Sequence, residues 1–146
     1  VKRIVILLEK KTLIYALFGI YAAVVLRMTV LRPNLLPLHL FQGGYIDLLP
    51  IEYYGYWIKL NLTNFLIREV AGNIVGFLPL GGFLAWQNPK RPLWRVTLTG
   101  LCCSACIETA QYVLGVGTLC SGDLLTNTLG TLLGGALLRR MQAELP

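Results

Sequence analysis

A chain of 146 residues has room for one domain by the usual length prior. Apolar residues make up 55% and charged residues 14%, against roughly 25% charged in soluble proteins, which excludes disorder and argues against an ordinary water-soluble domain. The formal net charge is +6 and the mean hydropathy +0.64; in so apolar a chain, excess Lys and Arg sets membrane topology.

A bilayer core needs about 20 mostly apolar helical residues, and four stretches qualify. The first, 12–31, carries one charge, Arg27, and follows Lys2, Arg3, Lys10 and Lys11. Its apolar run is longer than that of a signal peptide and no small-x-small cleavage site follows, so it reads as a retained span. Between 32 and 65, Pro33, Pro37, Gly43-Gly44 and Pro50 preclude a single long helix. Tyr45, Tyr53, Tyr54, Tyr56 and Trp57 there suit a headgroup-level aromatic belt, giving a long outer loop or a re-entrant, interfacial segment. Asn61-Leu62-Thr63 fits the glycosylation pattern, a three-residue match that chance supplies often. The second stretch, 66–86, is charged only in its first turn. The third, 95–116, holds Glu108 near its middle, and the fourth, 121–138, is short and rich in Gly and Thr. The expected fold is all-α: one domain over 1–146, an integral membrane bundle of about four transmembrane helices.

Orientation follows from the basic residues. The N-terminal tail (Lys2, Arg3, Lys10, Lys11), the loop between spans two and three (Lys90, Arg91, Arg95) and the C-terminal tail (Arg139, Arg140) hold most of the 13 Lys and Arg. All three regions lie on one side of a four-span protein, so both termini are expected to be cytoplasmic.

Charged and amide side chains inside a span are costly and face the bundle interior. At 3.6 residues per turn, Glu69, Gly72, Asn73 and Gly76 share one face of span two. Ser104, Glu108, Gln111, Tyr112 and Gly115 share one face of span three, and Asp123, Asn127, Gly130, Thr131 and Gly134 one face of span four. At 1.5 Å per residue, Arg27, Arg68, Glu69, Asn73, Glu108, Gln111, Asp123 and Asn127 all fall within roughly 12 Å of the outer helix ends. One or two such residues are explained as interhelical fasteners worth about 0.6 kcal/mol each; eight in one half point to an outward-opening polar pocket. Gly72-x3-Gly76 and Gly130-x3-Gly134 read as close-packing stripes, within the bundle or between copies. Pro79 is expected to kink span two.

These residues carry a family resemblance. Asn73-Ile74 with Phe77-Leu78-Pro79-Leu80-Gly81 resembles the N-I-x-x-F-x-P-L-G signature of VanZ-like membrane proteins. Ile107-Glu108 with Gln111 is similar to that family's I/L-E-x-x-Q element, and Asp123 to Gly130 (D-L-L-T-N-T-L-G) to its D-x-x-x-N-T-x-G ending. Leu48-Leu49-Pro50 is similar to a weaker N-L-I-P-F element, with Asp47 and Ile51 where Asn and Phe are usual. The likeness covers about 45–134, in the family's order. It implies a bacterial cytoplasmic-membrane protein of a family named for teicoplanin resistance. Many members carry an Arg and an acidic residue just before the fourth span, whereas 115–122 here is uncharged. If that Arg grips an anion in relatives, Arg68 or Arg27 must replace it, or the ligand differs.

Other motifs carry less. Cys103-x-x-Cys106 lies mid-span without a second pair or a nearby His, and reads as soft apolar packing. Cys120 is expected at the outer surface and Cys106 roughly 15 Å inward along span three, too far for the Cα separation of about 7 Å that a disulfide allows. His39, the single histidine, makes neither a metal site nor a triad. No metal and no cofactor are expected, and nucleic-acid binding is not, since the basic residues do not gather on one recognition face.

Two functional classes and a plainer third follow. In the first, a non-catalytic membrane protein binds or shields an envelope lipid, a lipid-linked precursor or an amphiphilic lipoglycopeptide antibiotic. Arg27 and Arg68 would contact phosphate or carboxylate, Asn73, Gln111 and Asn127 would supply neutral hydrogen bonds, and Glu108 and Asp123 would balance charge or hold an amine. In the second, an intramembrane enzyme acts on a lipid-linked envelope substrate. Glu108 in the span and Asp123 near the surface would have proton affinities pushed apart, as an acid–base pair needs, although no nucleophile accompanies them. The third is a small scaffold subunit of a membrane complex.

Overall fold

Proline, asparagine and glycine punctuate the chain into five helices and one short strand pair among the described residues. In chain order these are α1 (Lys2–Thr29), β1 (Ile46–Asp47), α2 (Pro50–Lys59), α3 (Thr63–Gln87), α4 (Leu93–Val113), β2 (Leu119–Cys120) and α5 (Ser121–Glu144). The structure, a computed structural model, describes residues 2–31, 40–42 and 45–144. Arg32, Pro33, Pro37, His39, Gly43 and Gly44, on which part of the loop reading rests, lie outside the described residues.

The stops have identifiable chemistry. Pro50 opens α2 at a position where a missing N–H costs nothing. Asn61 then takes φ 56°, and the Leu62 N–H donates to the Trp57 carbonyl while the Asn61 N–H donates to that of Ile58, each at 3.0 Å. This is a Schellman closure, with asparagine in the left-handed position that it tolerates better than most residues. Asn61 is thereby accounted for as a helix stop. Gly115, at φ 69°, ends α4 in the same way, with Val116 donating to Gln111 at 3.0 Å and Gly115 to Tyr112 at 3.1 Å. Pro79 sits inside α3 and removes the amide that would have bonded the Val75 carbonyl, yet the helix continues to Gln87.

Helices α3 and α5 pack backbone to backbone and run parallel. A Cβ on Gly130 would overlap the Ile74 carbonyl, one on Gly134 the Leu78 carbonyl, and one on Gly81 the Thr131 carbonyl. Helix α4 returns the chain between them and lies antiparallel to α5, with Ser104 opposite Asn127 and Gly100 against the Thr131 side chain. The second glycine stripe behaves otherwise. Among the described residues nothing lies within 4 Å of a Cβ built on Gly72 or Gly76, so the close packing expected of that pair is not formed among them.

Helix α1 is peripheral. Phe18 stacks on Phe83 with ring centroids 3.7 Å apart, Tyr15 meets Phe83 and Trp86 edge-on, and the Tyr21 hydroxyl donates to the Gly76 carbonyl at 2.7 Å.

The burial pattern is inverted relative to a soluble protein. Ser104, Glu108, Gln111, Thr126, Asn127 and Thr131 are buried, while Leu125, Leu129, Leu133 and Leu137 form an exposed stripe along α5. Exposed leucines with buried amides suit a hydrocarbon solvent, not water. Residues Lys10–Thr29 and Thr63–Gln87 are long and apolar enough to cross a bilayer.

Candidate functional site

Helices α1 and α4 finish, and α3 and α5 begin, at the same end of the bundle, and the polar side chains collect there. The strand pair draws this junction end together. Ile46 pairs with Leu119 and Asp47 with Cys120 in parallel register, and the Leu119 N–H donates to the Tyr45 carbonyl at 2.9 Å. The segment before α2 is thus clipped onto the loop that starts α5.

Below the clip, Glu108 is 3% exposed and its Oε2 accepts the Cys120 N–H at 3.1 Å. That amide stands at the start of α5, where the helix leaves N–H groups unsatisfied and favours negative charge. Asp123 adds a second carboxylate in the first turn of the same helix. Its Oδ1 accepts Asn73 Nδ2 at 2.8 Å, and the same amide also donates to Thr126 Oγ1 at 3.2 Å. Asn127 Nδ2 donates to Ser104 Oγ at 3.0 Å, while its Oδ1 is buried with no hydrogen-bond partner among the described residues. Gln111 Nε2 donates to the Thr29 carbonyl at 3.3 Å and fastens the end of α1.

The expected site residues therefore divide. Asn73, Glu108, Gln111, Asp123 and Asn127 meet at the junction end, each in a hydrogen bond that crosses between elements. Arg27 and Arg68 stand apart as exposed side chains; Arg27 donates to the Leu31 carbonyl just past its own helix. The candidate acid–base carboxylates each hold a structural partner, Glu108 the Cys120 amide and Asp123 the Asn73 amide.

Tyr54 and Thr126 join the junction without having been expected at the site, and Ser104, expected on the polar face of span three, joins it as a hydrogen-bond partner. Tyr54, read as part of an aromatic belt, lies over α5, and a Cβ on Gly122 would come within 2.7 Å of its hydroxyl. Burial first, then the charges of Asp123, Cys120 and Glu69, raise the Tyr54 hydroxyl above its ordinary value. Ser104 and Thr126 supply the hydroxyls for the Asn127 and Asn73 amides. Thr126 carries no signal in sequence, since small hydroxyl residues are common in membrane helices. Cys120 is buried, and that burial pushes its thiol up to about 11, against an opposing pull from the Asp123 and Gly122 backbone. Among the described residues no group of three His, Cys, Asp or Glu is placed to hold a metal ion.

A groove of about 1290 Å³ sits on the clipped segment, lined by Tyr45, Asp47, Glu52, Tyr56, Trp57 and Lys59 among others. None of the seven residues expected to bind a ligand lines it. The polar layer of Asn73, Glu108 and Asn127 forms the packed junction of α3, α4 and α5 instead.

A family model described as VanZ/LLP1 matches residues 10–142. The chain belongs to the VanZ/LLP1 family. No curated protein and no solved structure matches it. Membership links the chain to antibiotic resistance and, together with its two bilayer-length helices, to the membrane. In this VanZ-like chain the motif residues serve the junction: Asn73 and Asp123 bond each other, Glu108 holds the α5 start, and Gly130 seats the helix crossing.

Proposed function

We propose that this VanZ-like protein is a four-span protein of the bacterial cytoplasmic membrane whose junction end faces outward. There it binds or shields an envelope lipid, a lipid-linked precursor or an amphiphilic glycopeptide antibiotic, and so alters resistance. The observation that carries the reading is the clip between β1 and β2. It ties the segment that lines a groove with aromatic, acidic and basic walls to Cys120, whose backbone amide Glu108 holds. Lys and Arg concentrated in the N-terminal tail, the α3–α4 loop and the end of α5 support cytoplasmic termini. The inverted burial of α4 and α5 supports their crossing the bilayer with α1 and α3.

A binder fits better than an enzyme, because both candidate carboxylates are engaged in holding helices together. The deciding experiment compares teicoplanin sensitivity in cells with and without the chain. Expression should lower sensitivity. Asp123→Asn and Glu108→Gln should each abolish that shift at unchanged membrane abundance. Full protection by both variants would leave the junction a scaffold only.

A further inference from the structure

The groove on the clipped segment has a charge pattern of its own. Glu52, Tyr56 and Lys59 lie on one face of α2, at spacings of four and three, and all three line the groove. Glu52 and Lys59 are exposed, and neither joins an ion pair among the described residues. Opposite charges on one helix face usually stand three or four residues apart and neutralise each other. Here they stand seven apart, about 10.5 Å along the axis, too far to meet.

That gap fits a ligand with both charges. A ligand that sets an anion on Lys59 and a cation on Glu52 spans the gap with two charge-assisted contacts, and a phosphate joined to an ammonium by a short linker carries that pair of charges. The flanking groups agree with this polarity. Asp47, a second carboxylate in the groove, is fixed by accepting the Leu49 N–H at 3.1 Å. Tyr56 stands between the two charges, with its ring 5.6 Å from that of Trp57, and Tyr45 is 77% exposed; such rings attract an ammonium group. A purely anionic headgroup would meet one lysine and two carboxylates, whereas a zwitterion satisfies both signs.

The geometry points to a phosphatidylethanolamine site: the lipid's phosphate on Lys59 and its ammonium on Glu52, beside Asp47 and the Tyr56 ring. This rests on the reading above in one respect, that the groove opens on a lipid leaflet.

The test is native mass spectrometry of the intact chain in detergent, with dioleoyl phosphatidylethanolamine and dioleoyl phosphatidylglycerol supplied in equal amounts. Phosphatidylethanolamine adducts should exceed phosphatidylglycerol adducts by about threefold, the scale of one exposed ion pair. Glu52→Lys should reverse the preference towards phosphatidylglycerol, a gain that misfolding does not produce. Glu52→Gln, exposed and nearly isosteric, should bring the two lipids to parity. Equal retention by the unaltered chain, or an unchanged preference in Glu52→Lys, overturns the site. Soluble O-phosphoethanolamine binding as tightly as the lipid would overturn the lipid as its source. Detergent exposes every face, so this result does not depend on which side of the membrane the groove occupies; topology reporters test that separately.

Discussion

Glu108 and Cys120 are joined by a hydrogen bond from the Cys120 backbone N–H to the Glu108 carboxylate, 3.1 Å long and buried. A mid-helix acid thus caps the helix that follows it. Glu108→Ala should leave that amide without an acceptor and cost about 1.5–3 kcal/mol. Glu108→Gln keeps an acceptor oxygen and should lose less. Thermal unfolding in detergent measures both, and an Ala variant as stable as the parent would contradict the cap.

The two glycine stripes should respond in opposite ways. Gly134→Ala forces a methyl onto the Leu78 carbonyl, so α3 and α5 must separate, at a cost of about 1–3 kcal/mol by the usual overpacking scale. Gly72→Ala enters open space and should be neutral, or stabilising by up to about 1 kcal/mol through reduced backbone entropy in the unfolded chain. Equal destabilisation by the two variants would mean that Gly72 meets a partner outside this chain.

Cys120 should resist thiol reagents. With Cys102, Cys103 and Cys106 replaced by Ala, a water-soluble maleimide should leave the folded protein unlabelled at pH 7.5 and label it fully in SDS. The thiol is raised from 9.0 to about 11, so the stability tied to its neutral form is complete below about pH 9 and is lost as pH rises through 11. Rapid labelling at neutral pH would show the strand clip to be open.

Topology is tested by fusion. A reporter active only outside the cytoplasm should light up when joined at Gly43 or Gly117 and stay dark at Asn88 or Pro146. Activity at Asn88 would invert the orientation.

The helices were legible because their chemistry is local. Apolar runs, Pro50, and the polar stripe carrying Asn73, Glu108 and Asn127 can be read within a few turns of chain. Helical rise also groups Asn73, Glu108, Gln111, Asp123 and Asn127 at one level of the bundle. Their partners were not legible. Asn73 meets Asp123, fifty positions away, and Glu108 meets a backbone amide, which has no signature in sequence. Helical rise says nothing of azimuth, and Arg27 and Arg68, level with that layer, are exposed. Gly72-x3-Gly76 has the same spacing as Gly130-x3-Gly134, yet among the described residues it is the latter that finds a backbone to pack against. The groove has no signature in sequence, because its walls come from a two-residue strand too short to show alternation and from a helix of only ten residues.

The parallel course of α3 and α5 bears on the order of synthesis. Chains emerge N-terminal end first, so Asn73 leaves the ribosome long before Asp123 exists to receive its hydrogen bond, and the Ile74 and Leu78 carbonyls wait as long for Gly130 and Gly134. No hairpin between neighbours can supply these contacts early, because α4 must first carry the chain back. The three-helix unit is therefore complete only when the last helix arrives. A nascent chain halted after α4 has neither the Asp123 carboxylate for Asn73 nor the Cys120 amide for Glu108, the state in which quality-control proteases would find it.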